Sequence, residues 1–143
     1  MLFMVLAVLL QQPAKPQTDV ERLAALQLSK ACRESGEKFF QREGYAGLAS
    51  PLPDYFTHYN RGQSKCLIFI SGMAKAEPGE DKAGMYMQVF DVTKGVLIAS
   101  KYLRWSGNDY VTASIRIRDT GGIYEHNPAT PTNEAWFDSL MIR

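Results

Sequence analysis

The segment Cys66-Leu67-Ile68-Phe69-Ile70 is an unbroken apolar run between polar residues, which predicts a buried β-strand. Three further strands are predicted after it, at Met85–Asp91, 95–105 and 110–118. The last of them alternates. Four apolar side chains are expected on one side, namely Val111, Ala113, Ile115 and Ile117. Four polar ones are expected on the other, namely Thr112, Ser114, Arg116 and Arg118. This pattern is typical of an antiparallel strand with one face in water.

Short polar connections join these strands, so we expect an antiparallel meander. Gly95, which follows Val92-Thr93-Lys94, can supply a residue with positive φ at one turn. Residues 45–65 hold several Pro and Gly breakers together with many aromatic residues. They are predicted to form an ordered loop against the core. Ile123-Tyr124-Glu125 is expected to add at most a short edge piece.

Two helices complete the prediction. Thr18-Asp19-Val20-Glu21 is a capping box, and Gly44 is placed to end the first helix in a left-handed conformation. Small or apolar residues recur between them at helical spacing, at Ala24, Leu28, Ala31, Cys32, Ser35 and Phe39. Gly36 inside this helix indicates close packing. A second helix is expected after Pro131, with an apolar stripe at Trp136, Phe137, Leu140 and Met141.

The predicted fold class is therefore α+β. A long N-terminal helix and a short C-terminal helix are expected to pack on one face of a four-stranded antiparallel meander sheet. Residues 1–16 are interpreted as a signal-peptide-like leader and a polar linker, and residues 17–143 as a single domain. The alternative is an apolar N-terminus that packs on the domain. After removal of the leader we expect no transmembrane span and an exported protein, periplasmic or extracellular.

The net charge of +1 argues against a nucleic-acid partner, because such binders neutralise many phosphates. The only two cysteines are Cys32 and Cys66. Because the chain is predicted to be exported, we expect a structural disulfide between them, and two free buried thiols are the alternative. No Cys-x-x-Cys spacing supports redox chemistry.

Asp54, His58, Tyr59 and Asn60 are the candidate functional or loop-structuring residues. His58 could act as a base oriented by Asp54. The alternative is that His58 and Asn60 hydrogen-bond the loop backbone, as Asn commonly does in turns. The two histidines of the chain have no further ligands at zinc-site spacing, and we expect no metal and no cofactor.

A cationic patch for an anionic partner is predicted from Lys101, Arg116 and Arg118, with Arg104 as a further candidate. Arginine suits this role because its planar fork matches carboxylates and phosphates. The alternative is an ordinary solvated sheet face.

Several short motifs lie along residues 25–143. They are a helical cysteine (Cys32), Thr57-His58-Tyr59-Asn60, a second cysteine six residues after Asn60, Phe90–Gly95 and Trp136-Phe137. In these motifs the chain resembles small uncharacterised exported bacterial proteins. The resemblance implies a fold and an exported location, and it implies no activity.

The first functional hypothesis is a non-catalytic interaction module that binds an unknown protein or envelope component. A contact surface of that kind is expected to include a contiguous exposed apolar patch. The second hypothesis is a small hydrolase-like enzyme centred on His58. The third is an inhibitor or immunity-type protein that uses the Lys75–Lys82 hairpin.

Overall fold

Six antiparallel strands form one sheet, in which each strand pairs with the next along the chain. The computed structural model describes residues 17–48, 51–74, 82–118, 124–127 and 131–140. The helices are α1 (Asp19–Arg42) and α2 (Pro131–Ser139), and a 3-10 turn lies at Tyr45–Gly47. The strands are β1 (Asp54–Asn60), β2 (Lys65–Met73), β3 (Met85–Asp91), β4 (Val96–Ser106), β5 (Asp109–Arg118) and β6 (Tyr124–Asn127). The α+β class is confirmed.

The prediction of four strands is wrong. Residues 54–60, expected in a loop, form the edge strand β1, which pairs with β2 from Asp54 opposite Ser71 to Asn60 opposite Lys65. Pro53 and Gly62 flank this segment and do not interrupt it, and its aromatic residues favour a strand. The remaining extra strand, β6, is the short edge piece.

The prediction that both helices share one face of the sheet is also wrong. Phe39 and Phe40 of α1 pack on one face of β2, against Ile68 and Ile70. Phe137 of α2 packs in the core of the other face. That second core contains Leu67, Phe69, Val89, Ala99, Ile115, Phe137 and Leu140. The run Cys66–Ile70 lacks alternation because β2 is buried on both faces, by α1 on one side and in the core that contains Phe137 on the other.

Helix α1 begins as predicted. The Thr18 hydroxyl accepts from the Glu21 amide at 3.2 Å, and the Glu21 carboxylate accepts from the Thr18 amide at 2.8 Å. Gly36 is buried, and a Cβ added there would overlap the Thr57 methyl group of β1, which confirms the close packing. Gly44 has a φ of 82°.

Only the second half of α1 is buried. Its buried residues begin at Cys32, whereas Leu28 of the predicted stripe is 44% exposed. The reason is length. A helix of 24 residues spans about 36 Å, whereas the seven residues of β1 span about 23 Å. The first turns of α1 therefore extend beyond the strands that it covers.

A β-bulge changes the alternation of β5. Tyr102 lies opposite Ser114 and Leu103 opposite Thr112, so Ala113 is an extra residue. Beyond the bulge the pattern shifts by one residue. Val111 is consequently 41% exposed, although it was expected on the same side as Ile115, which is fully buried.

The leader at residues 1–16 lies outside the described residues, as does the 75–82 hairpin apart from Lys82. Among the described helices, none combines the length and the apolar character that crossing a membrane would require.

Candidate functional site

The two cysteines form the disulfide that the sequence favoured. Cys32 of α1 and Cys66 of β2 are bonded, with a Cα–Cα distance of 5.3 Å. Both are nearly fully buried. Tyr59 lies directly opposite Cys66 in the sheet, on the face that α1 covers. The bond thus fixes α1 to the strand at the centre of the two cores.

Asp54 and His58 do not come together. Both belong to β1 and point to the same face, opposite Ser71 and Leu67 respectively. Four residues along a strand correspond to about 13 Å, which is far beyond hydrogen-bond reach. The arrangement of a histidine base and an orienting carboxylate, which a His58-centred hydrolase would need, is therefore not formed by this pair.

Asn60 organises the turn between β1 and β2. Its side chain is 4% exposed, and its Oδ1 accepts from the backbone amide of Gln63 at 2.9 Å. Ser64 in the same turn has a φ of 50°. This is the backbone-bonding role that the sequence offered for Asn60, because an Asn side chain can replace a backbone acceptor in a tight turn.

The predicted cationic patch is divided between the two faces of the sheet. The Lys101 side chain is only 11% exposed, and its Nζ lies 3.7 Å from Asp138 Oδ1 and 5.7 Å from the centre of the Phe137 ring. It therefore lies under α2. Arg116 lies opposite Ser100, which is adjacent to Lys101 in β4. Its side chain therefore points to the other face of the sheet from that of Lys101.

The face that carries Arg116 is open over β3, β4 and β5. We define the open face by eight residues: Tyr86, Gln88, Ser100, Tyr102, Arg104, Ser114, Arg116 and Arg118. None of the eight is buried. By contrast, Val89, Ala99 and Ile115 on the reverse side of the same strands are fully buried. The sheet is thus closed by α2 on one side and accessible on the other.

The open face combines cationic and aromatic groups, and the one acid that the register places on this side of β4 and β5 is Asp109, opposite Ser106 at the far end of β4. Arg104 and Arg116 are exposed, and Arg118 lies two residues beyond Arg116 on the same strand. None of the eight side chains that define the face is a carboxylate. A surface of this composition attracts anions, because arginine remains charged at any physiological pH.

A polar cluster lies where α1 borders the open face. Tyr45, just after α1, donates its hydroxyl hydrogen to Gln88 Oε1 at 3.0 Å. Burial raises the pKa of Tyr45, and the nearby Tyr86 hydroxyl and Glu43 carboxylate raise it further. Burial also raises the pKa of Tyr86. These hydroxyls therefore stay protonated and can act as hydrogen-bond donors.

The first turns of α1 present a different exposed surface. Val20, Leu23 and Leu26 are 77%, 58% and 67% exposed. Apolar side chains alone do not define the chemistry of a partner, however, so the open face is the more informative surface.

Tyr45, Tyr86, Gln88 and Tyr102 were missed as candidate residues. The signal for two of them was present, since Tyr86 and Gln88 alternate with Met87 and Val89 along β3. Tyr45 gave no signal because it is 43 residues from its hydrogen-bond partner.

In the described part of the chain, no three His, Cys, Asp or Glu residues lie together as metal ligands. Comparisons with protein-family models, with curated proteins and with solved structures found no match.

Proposed function

We propose that this protein is a non-catalytic interaction module of the periplasm or cell exterior that binds an anionic partner on its open face. The observation that carries the proposal is the composition of that face. It places Arg104 and Arg116 in solvent, and its three arginines outnumber the one acid on this side of β4 and β5, Asp109. Arg forks bind carboxylates and phosphates through paired hydrogen bonds, so this composition favours an anionic partner.

The disulfide supports an oxidising compartment. Disulfides persist in exported proteins and are rare in reducing cytosol. Cys32–Cys66 joins two elements of the core, as expected of a structural bond. The resemblance to small exported bacterial proteins points the same way, and we include export in the proposal on both grounds.

The separation of Asp54 from His58 along β1 favours binding over the hydrolase alternative. The inhibitor alternative depends on the 75–82 hairpin, most of which is outside the described residues. It stays a prediction that binding by that hairpin would survive His58→Ala.

The proposal is tested by titrating the oxidised protein with polyanions of different chemistry: polyglutamate, polygalacturonate and polyphosphate. At least one is expected to bind, with an affinity that falls as salt is raised, because exposed charges are screened. The double variant Arg104→Gln/Arg116→Gln is expected to weaken that binding at least about tenfold, since charge-assisted contacts are lost at two positions.

The matched control is Arg22→Gln/Arg33→Gln, which removes the same charge from two exposed positions of α1. This control is expected to bind like the parent protein. Equal weakening in both double variants would mean that only net charge matters, and failure of all three polyanions to bind would overturn the proposal.

A further inference from the structure

Two tyrosines of the open face lie flat against the sheet. A Cβ added at Gly72 of β2 would lie 2.6 Å from the Tyr86 hydroxyl oxygen, and one added at Gly84 would overlap the Tyr102 phenol group. Each ring therefore occupies the space above a glycine, where any other residue would project a side chain. Glycine permits an aromatic ring to cover the strand in this way.

The two rings are neighbours in the sheet. Gly72 lies opposite Tyr86, and Tyr86 lies opposite Tyr102. Directly opposite residues in antiparallel strands have their Cβ atoms about 5 Å apart. Both tyrosines are half-buried. Together they form an aromatic platform over β2 and the start of β3, and Tyr86 also packs against the core beneath α1.

Hydrogen-bonding groups border this platform. Ser114 of β5 lies opposite Tyr102. The next row of the same face runs from Gln88 through Ser100 to Arg116. The Gln88 amide is held by the Tyr45 hydroxyl. A ligand on the platform would therefore meet hydroxyl and amide groups first and a guanidinium at one end.

A saccharide with a carboxylate fits this spatial arrangement of aromatic, hydroxyl, amide and guanidinium groups. The C–H face of a pyranose ring is flat and apolar and packs on aromatic rings, while its hydroxyls need donors and acceptors in the ring plane. Its carboxylate matches the arginine fork. An acidic peptide also matches the arginine, but its acidic side chains present no flat C–H face to the two tyrosine rings.

We propose that the open face binds an acidic saccharide, with the sugar ring on Tyr86 and Tyr102 and the carboxylate on Arg116. This inference rests on the proposed function, since it names the class of anion that the open face takes.

The test is calorimetric titration of the full, oxidised chain with trigalacturonate. Trigalacturonate is expected to bind, and a neutral galactose trisaccharide is expected to bind at least about tenfold more weakly, because it lacks the charge-assisted contact. Tyr102→Leu keeps an apolar side chain above Gly84 but removes the flat ring. It is expected to weaken trigalacturonate binding about tenfold. Tyr102→Phe keeps the ring and is expected to bind nearly as well as the parent protein.

A second measurement needs no variant. In the parent protein, ring-proton resonances of Tyr86 and Tyr102 should shift on addition of trigalacturonate, whereas those of Tyr59 in β1, opposite the disulfide cysteine Cys66, should not. Unchanged tyrosine resonances, or equal binding by Tyr102→Leu and Tyr102→Phe, would overturn the saccharide inference.

The outcomes separate the two proposals. If an acidic peptide such as polyglutamate binds the open face through Arg116 and trigalacturonate does not bind, the proposed function stands and the saccharide inference is wrong. If polyglutamate, polygalacturonate and polyphosphate all fail to bind, the proposed function fails as well.

Discussion

At the scale of single residues, Gly36 sets the distance between α1 and the sheet. The helix can lie close against β1 at this point because glycine has no Cβ. The Thr57 methyl group occupies the space that a Cβ would need. An alanine would normally stabilise a helix interior by about 1 kcal/mol relative to glycine. Whether a Gly36→Ala substitution raises or lowers the free energy of unfolding therefore shows whether helix propensity or packing dominates.

Gly36→Ala is expected to lower the free energy of unfolding by about 1–3 kcal/mol, the usual cost of overpacking a core. Urea denaturation measures it. Thr57→Ser removes the clashing methyl group, so the double variant Gly36→Ala/Thr57→Ser should recover much of the loss. Gly47→Ala is the control, because nothing lies within 4 Å of its Cβ position. A Gly36→Ala protein as stable as its parent would contradict the described contact.

Asp91 is a second residue with a defined structural role. It is 3% exposed, and its Oδ1 accepts from the backbone amides of Thr93 at 3.0 Å and Lys94 at 3.2 Å. Asp91→Ala leaves both amides without this acceptor and is expected to cost about 1–3 kcal/mol in thermal or urea unfolding. Asp91→Asn keeps an acceptor oxygen and should cost less. The reverse order of the two variants would be inconsistent with this role.

Local features of this kind were predictable from the sequence. The capping box at Thr18 and the positive φ values of Gly44 and Gly95 depend on residues only a few positions apart. The contact between Tyr45 and Gln88 depends on how α1 docks on the sheet, which no local pattern encodes.

At the scale of elements, α2 closes one face of the sheet. It has only nine residues, too few for a helix that is stable by itself, so it depends on docking. Phe137 is fully buried between the strands and the helix, whereas its neighbour Trp136 is 38% exposed. The two adjacent aromatic residues therefore provide an internal comparison.

Phe137→Ala is expected to cost about 3–5 kcal/mol of stability, the typical loss for a buried phenylalanine. Trp136→Ala, the matched control, should cost clearly less because much of its side chain is already in water. Urea unfolding of both variants measures the difference. A larger loss for Trp136→Ala would mean that α2 docks through another face.

The bounds of most helices and strands were predictable from the sequence, but the faces on which some of their residues lie were not. Helix and strand bounds were close to the observed ones wherever the periodicity was clear, as in Met85–Asp91. The faces predicted for the β5 residues before Ala113 were wrong, because an alternating sequence pattern does not reveal a bulge. The burial of Lys101 was missed because the sequence does not say which face of the sheet α2 covers.

At the scale of the whole molecule, the disulfide connects α1 with the strand that belongs to both cores. It closes a loop with a sequence separation of 34 residues. On the chain-entropy model, such a link stabilises the fold by about 4 kcal/mol. Reduction with dithiothreitol is expected to lower the free energy of unfolding by about this amount.

The double variant Cys32→Ser/Cys66→Ser serves as the control for reduction. Its stability should match that of the reduced parent protein closely and should not respond to dithiothreitol. A parent protein that melts at the same temperature with and without reductant would show that the bond adds nothing to stability.

The division of the sheet into a closed face and an open face is the basis of the functional account. It places Lys101 under α2 and leaves Arg116 in solvent with Tyr86 and Tyr102 beside it. The cationic character of this region was predictable from the alternation of β5. The aromatic platform was not, because it depends on the glycines of neighbouring strands.

The most direct test is a backbone amide NMR titration of the oxidised protein with trigalacturonate. We expect the shifted resonances to belong to the open-face residues of β3, β4 and β5, including those of Tyr102 and Arg116. Shifts confined to α2 and Lys101, or to the first turns of α1, would contradict binding on the open face.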